Sequence, residues 1–261
     1  MRVISVNVNG IRAAHRKGFY KWLSRQRADF ICLQETKAQL NQLTREIRAP
    51  SGWYTYFADA EKKGYSGVAL FSRVEPQKVV CGLGVEEFDR EGRFLQADFG
   101  NLSVISIYFP SGSSGEIRQQ VKYAFMEKFE SWLESKSGDG REYIICGDWN
   151  IAHKKVDLKN WRSNQKNSGF LPEERAWMDK ILNSDVWRDV FRLLNDSEHQ
   201  YTWWSNRGRA WENNVGWRLD YQIATKKLAE SATTERIYKA KRFSDHAPII
   251  IDYSIDIDFF K

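Results

Sequence analysis

Asp148 and Asn150 stand two residues apart, directly after the apolar run Ile144-Ile145-Cys146 and a single Gly147. The run predicts a strand buried on both faces. In extended chain, side chains at i and i+2 share a face. A carboxylate and a carboxamide would then sit together at the end of a buried strand, where open α/β sheets hold their sites. Asp and Asn after Gly are also turn formers, so this pair on its own reads first as a turn. The same kind of ending recurs along the chain. Asn7 and Asn9 close one apolar stretch, Glu35 another, and Tyr108 stands before Phe109-Pro110. Asp220 lies in Trp217-Arg218-Leu219-Asp220-Tyr221, and Ser244-Asp245-His246 precedes the last apolar run. Each has a plain structural explanation: a surface Glu35, an Asn7 satisfying buried backbone, a cap at Asp245-His246. Their recurrence at strand ends calls for a shared site.

The residue types suit metal-assisted phosphoester hydrolysis. Carboxylate and amide oxygens are hard ligands that fit Mg²⁺, with Mn²⁺ as the alternative. Such an ion polarises a phosphoryl oxygen and steadies the leaving oxygen. Zinc is disfavoured because no paired His/Cys ligand set is present. His246 could contact phosphate or relay a proton, with an acid such as Asp220 fixing its tautomer.

The elements that would carry these groups can be read from periodicity. Residues 3–8 alternate as a half-buried strand ending at Asn9-Gly10. Residues 18–28 place Phe19, Trp22 and Leu23 at helical spacing. Strands are expected at 30–33 and 66–72, and residues 94–99 and 102–109 form a hairpin around Gly100-Asn101. Ser113 to Glu116 has the spacing of a capping box. It would open an amphipathic helix burying Ile117, Val121, Ala124, Phe125, Phe129, Trp132 and Leu133. Residues 153–169 form a basic, polar loop around Trp161, and Pro172 opens a further helix. Strands follow at 202–204, 218–224 and 248–255. No linker divides the chain. The expectation is one α/β domain over residues 1–261, with two sheets packed face to face and clad by helices.

A net charge of +6 points to a polyanionic partner, although many basic proteins bind none. The eleven Trp could stack on bases, but core packing is their ordinary use. No apolar run approaches membrane-spanning length. The start of the chain lacks the layout of a signal peptide. Cys32, Cys81 and Cys146 show no metal spacing, and Cys32 and Cys146 read as buried thiols. A reducing cytoplasm is the expected location.

Several segments in order resemble the exonuclease III family of apurinic/apyrimidinic (AP) endonucleases, within the endonuclease/exonuclease/phosphatase superfamily. They are Asn7-Val8-Asn9-Gly10, Leu33-Gln34-Glu35-Thr36-Lys37, Gly64-Tyr65-Ser66-Gly67, Ile107-Tyr108-Phe109-Pro110, Gly147-Asp148-Trp149-Asn150, Gly169-Phe170-Leu171-Pro172, Asn214-Val215-Gly216-Trp217-Arg218-Leu219-Asp220 and Ser244-Asp245-His246. The resemblance covers nearly the whole chain. It implies a four-layered α/β sandwich and a monomer acting on double-stranded DNA with abasic sites or blocked 3′ ends. It implies Mg²⁺-dependent cleavage 5′ to the abasic site, leaving a 3′-hydroxyl, with 3′-exonuclease and 3′-phosphatase side activities. Glu35 would hold the metal, with Asn7 nearby and Asp245 a further ligand. Asp148 would be the general base and Asn150 would position the water. His246, paired with Asp220, and Tyr108 would face the phosphate. Trp203, Trp217 and Leu219 would form the apolar pocket for the flipped-out sugar. Asn9 and Ser111 stand where some members have Asp and Asn, and with Arg207 they are candidate DNA contacts. The location would be nucleoid-associated in a prokaryote and nuclear in a eukaryote.

Other readings share parts of this pattern. A 3′-exonuclease or 3′-phosphatase that handles abasic sites poorly would use the same chemistry. A lipid or inositol-phosphate phosphoesterase shares the core residues but not Asn214 to Tyr221. A catalytically silent DNA-binding module would not need to keep every acid and the His.

Overall fold

The computed structural model describes residues 1–260. One sheet takes β1 (Arg2–Asn7), β2 (Phe30–Gln34), β3 (Tyr54–Ala58), β4 (Val68–Ser72), β13 (Ala232–Ile237) and β14 (Ile249–Tyr253) in the order β13-β14-β1-β2-β4-β3. The other takes β5 (Lys78–Cys81), β6 (Phe94–Phe99), β7 (Leu102–Tyr108), β8 (Glu142–Asp148), β9 (Trp187–Asp189) and β12 (Asp220–Thr225) in the order β5-β6-β7-β8-β12-β9. A small ribbon pairs β10 (Trp203–Trp204) with β11 (Gly216–Trp217).

Both sheets are mixed, with β1 and β2 parallel in one and β7 and β8 parallel in the other. Their inner faces meet in a shared core that includes Val3, Cys32 and Leu70 from one side and Val104, Cys146 and Ala224 from the other. The outer faces bury Ile4, Ile31 and Phe71 under short N-terminal helices, and Ile105, Ile145 and Ile223 under the helices Glu116–Lys136 and Pro172–Leu182. This is the expected four-layered α/β sandwich.

The inner face changes character along the strands. Because the side-chain period is two, β1 presents Val3, Ser5 and Asn7 inward, and β7 presents Leu102, Val104, Ser106 and Tyr108. On β8 the sequence is Ile144, Cys146 and Asp148; on antiparallel β12 it is Ala224, Gln222 and Asp220. Each series runs from apolar to polar toward the same end of the sandwich. Buried bonds satisfy the middle tier: Gln34 Nε2 donates to Ser106 Oγ at 3.1 Å, and Gln222 Nε2 to the Val3 carbonyl at 3.1 Å. Register completes the arrangement, since Tyr108 and Asp220 both lie opposite Asp148. Gly147 permits it: a Cβ there would fall 2.1 Å from the Ile107 carbonyl oxygen.

Several expectations need correction. The helix at 18–28 is shorter, Phe19–Leu23, and follows a separate turn of helix at Ile11–Arg16. Ser113 caps nothing; the long helix begins after Gly115, with no side-chain cap bond. Ile117 is 82% exposed, while Gln119 and Lys122 are buried on the helix face that was read as wholly apolar. The chain does not stay extended through Asn150, whose φ is +53°. β3, β5, β9, β11 and β13 have no counterpart among the expected strands.

Candidate active site

Asn7, Glu35, Asp148, Asp220, Asp245 and His246 converge at the polar end of the sandwich. Ligand-capable atoms of Glu35, Asp148 and His246 lie within 4.8 Å of one another. Asn7, fully buried, stands between the acids. Its amide nitrogen donates to Glu35 Oε1 at 2.7 Å and Asp148 Oδ2 at 2.8 Å, while its oxygen accepts from the Asn9 N–H at 2.9 Å. Asn7 therefore ties the carboxylates together, with its oxygen turned to the backbone. Asp148 ends β8, and the left-handed turn at Asn150 lets its Oδ1 accept the Asn150 N–H at 2.9 Å. The Asn150 side chain donates to the Phe109 carbonyl at 3.0 Å.

His246 is buried and held by Asp220, with Nδ1 and Oδ2 2.8 Å apart. Asp220 is itself fixed by β12 and by its N–H, which donates to Thr202 Oγ1 at 3.1 Å. His246 Nε2 lies 3.8 Å from Asp148 Oδ2, too far for a direct bond. Asp245 accepts Asn9 Nδ2 at 2.8 Å on one oxygen and Trp203 Nε1 at 3.1 Å on the other.

The electrostatics follow from burying this much charge. Burial lowers the His246 imidazolium, but Asp220, Asp148 and Asp245 outweigh that and push it up to about 10. Burial raises Asp148; Asp220 and Glu35 add to the rise and His246 opposes it, leaving it at about 7. Burial also raises Asp245, but His246 and hydrogen bonds from Asn9, Trp203 and Ser244 bring it down to about 2. Burial, with Glu35 and Asp148 nearby, raises the Tyr108 phenol and keeps it protonated.

These groups border a cleft of about 550 Å³. Its lining joins the polar groups Glu35, Tyr108, Asp148, Asn150, Asp245 and His246 to the apolar Trp203, Trp217 and Leu219. Ser111 is on the rim, with its hydroxyl 2.9 Å from Ser113 Oγ. Asn7 and Asp220 lie behind the cleft, Asn9 borders an adjoining basic pocket with Lys17 and Arg242, and Arg207 is exposed outside both.

A hard divalent cation fits the donor set. The half-buried Glu35 beside the buried Asp148, whose carboxyl is raised, is a pair relieved by positive charge. Glu35 would hold the ion beside Asp148. Both oxygens of Asp245 are engaged, by Asn9 and Trp203, as both oxygens of Glu35 are by Asn7 and Lys37.

The structure adds residues that were not singled out. Lys37 Nζ lies 2.6 Å from Glu35 Oε2 and 2.5 Å from Asn9 Oδ1. A cation two residues after an acid is the signal that could have found it. Lys166, Asn167, Ser168 and Gly169, the end of the basic loop 153–169, form a cleft wall. Arg93, 2% exposed, donates to the Tyr108 carbonyl and lies 4.8 Å over its ring. No local pattern announces it.

The sequence model of the Endonuclease/Exonuclease/phosphatase family matches residues 4–246. An exodeoxyribonuclease of Bacillus subtilis (strain 168) is 38% identical over 250 residues, 95% of this chain and 98% of that protein. The DNA repair nuclease APEX1 of Danio rerio is 37% identical over 254 residues, 96% of this chain and 81% of that protein. The solved AP endonuclease from Archaeoglobus fulgidus superposes with a TM-score of 0.88 at 28% identity, over 98% of this chain and all of that one. With the sandwich and the convergent acids, these likenesses settle the lineage: the chain belongs to the Endonuclease/Exonuclease/phosphatase family, in its exonuclease III branch.

Proposed function

We propose that the protein is a DNA-repair AP endonuclease that uses Mg²⁺, with Mn²⁺ as the alternative, to hydrolyse the phosphodiester 5′ to an abasic site. The observation that carries this reading is the apolar wall of Trp203, Trp217 and Leu219 in the same cleft as the acid–histidine cluster. An abasic sugar rotates out of the duplex at low cost because no base pair is lost. The apolar wall receives it. The relatives named exodeoxyribonuclease and AP endonuclease support the same conclusion.

The scissile phosphate lies against His246 Nε2–H and the Tyr108 hydroxyl, both protonated at neutral pH. Asp148 accepts a proton from the attacking water. Asn150, fixed by its bond to Phe109, borders the approach of that water. Water adds to phosphorus, the bond from phosphorus to the upstream O3′ breaks, and the departing oxygen takes a proton from solvent to leave as a 3′-hydroxyl. The bound cation supplies charge neutralisation on the phosphate and the leaving oxygen. Every group named comes from one chain, which suits a monomer.

The test is a gel assay on labelled duplexes carrying an internal abasic analogue, a recessed 3′-hydroxyl or a 3′-phosphate, with Mg²⁺ or EDTA. Fast cutting 5′ to the abasic analogue, abolished by EDTA, is expected. Strong action on 3′ ends with little abasic cutting would overturn the pocket assignment and leave the catalytic residues in place.

A further inference from the structure

Lys122 and Glu174 are both fully buried, and no step above uses them. Lys122 sits on the inner face of the long helix Glu116–Lys136, and Glu174 in the first turn of the helix Pro172–Leu182. Lys122 Nζ meets Glu174 Oε1 at 2.5 Å and donates to the Asn150 carbonyl at 2.8 Å. Glu174 Oε1 also accepts Gln119 Nε2 at 3.0 Å. Its other oxygen accepts the Gly169 N–H at 2.7 Å and the Leu171 N–H at 3.0 Å.

One ion pair thus ties down two parts of the cleft. Through Lys122 it grips the left-handed turn that follows Asp148. Through Glu174 it grips the end of the Lys166–Gly169 wall. The two are also coupled to each other, since the Ala152 N–H donates to the Gly169 carbonyl at 2.7 Å. Gly112, also in the cleft lining, packs against both: a Cβ there would fall 1.9 Å from Gln119 Oε1 and 2.6 Å from Ser168 Oγ.

Stability alone is a poor reason for this pair, because a buried salt bridge can be replaced by apolar side chains at little or no loss. What apolar side chains cannot do is accept two backbone N–H groups and donate to a carbonyl. From that geometry, and resting on the phosphodiesterase reading above, we infer that Lys122 and Glu174 are positioning residues that set the Asn150 turn and the adjacent cleft wall for attack on the phosphate. Both groups stay off the substrate and act through Asn150 and Gly169.

The test compares the wild type with Lys122→Met/Glu174→Gln and with Lys122→Arg, on the abasic duplex with Mg²⁺. The double variant leaves no uncompensated buried charge; the Arg variant keeps a cation on the Asn150 carbonyl. Rates are normalised to folded protein by near-ultraviolet circular dichroism. The double variant should lose about 10- to 100-fold in kcat, as expected for a sub-ångström to ångström displacement of reacting groups, with KM within about threefold. The Arg variant should recover most of that loss. Wild-type kcat in the folded double variant, a loss confined to KM, or an Arg variant as slow as the double variant would overturn the inference. If wild type itself leaves abasic DNA uncut, the function assignment falls instead.

Discussion

Replacing Asp220 by Asn would remove the charge that holds His246 cationic while keeping the side-chain shape. Asp220 Oδ2 lies 2.8 Å from His246 Nδ1, both residues are buried, and Asp220 Oδ1 has no hydrogen-bond partner. Burial alone would push the imidazole down, yet it stands at about 10 instead of 6.5. That rise corresponds to roughly 5 kcal/mol, to which Asp220 contributes more than Asp148 or Asp245. Loss of one partner of a buried pair is on the order of 3–5 kcal/mol. In Asp220→Asn, burial should win, and His246 should be neutral at pH 7.5. A cationic donor aimed at the phosphate would be lost, lowering kcat by about 10²–10³-fold. The assay is kcat with Mg²⁺ from pH 5.5 to 9, compared as the ratio of wild type to variant at each pH. The ratio should shrink below about pH 6.5, where the variant imidazole regains its proton. In stability the raised His246 contributes fully below 6.5 and loses its contribution as pH rises through 10, so the two proteins should converge in alkali. A folded variant within threefold of wild-type kcat, or a ratio independent of pH, would refute the reasoning.

Other outcomes follow from the same geometry. Asp148→Asn should lower kcat by about 10²–10⁴-fold. The raised pKa of Asp148 means that metal-free wild type loses stability as pH rises from about 4 through 7, so with EDTA the variant should gain on wild type in urea between pH 5 and 8. Asp157 presents the opposite sign. Burial is outweighed by Arg218 and Arg192, leaving its carboxyl at about 2. Asp157→Asn should destabilise by about 3 kcal/mol at neutral pH, and the difference should fade in denaturation curves as pH falls from 4 to 2. Trp217→Ala should weaken abasic cleavage about 30-fold, since fully burying an aromatic side chain is worth about 2 kcal/mol, while 3′-phosphate release stays within twofold. Equal losses on both substrates would remove Trp217 from the sugar pocket.

The strand ends were legible because buried strands are written as apolar runs and their polar endings stand out against them. β8, the hairpin of β6 and β7, and the acids at Glu35, Asp148 and Asp220 were all read this way. The edge strands β3, β5, β9 and β13 escaped because an edge needs little apolar character; the burial of β5 is mixed and Cys81 is exposed. The long helix shows a different limit. Hydrophobic spacing assigned Ile117 to its buried face, yet the residue that goes under is Lys122, whose partner Glu174 lies far along the chain. A charge is buried when something distant pairs with it, and periodicity is silent about distant partners. The capping-box spacing failed for a related reason: Gly115, with φ +117°, ends the loop at the helix start, and Ser113 turns to Ser111.

Asn9, Glu35 and Asn150 share a trait: each follows a strand of the sandwich and each holds a positive φ without being glycine, at +42°, +52° and +53°. A side chain in that region costs about 1 kcal/mol or more relative to its relaxed state. Glycine would relieve it at each position, and would remove the side chains that line the cleft at Glu35 and Asn150 and brace Asp245 at Asn9. Random mutagenesis followed by selection for heat resistance should therefore be drawn to these positions and return sturdier, inactive proteins. Thermal tolerance and repair capacity are set against each other at the mouth of the sandwich, and only a screen that scores both would keep them together.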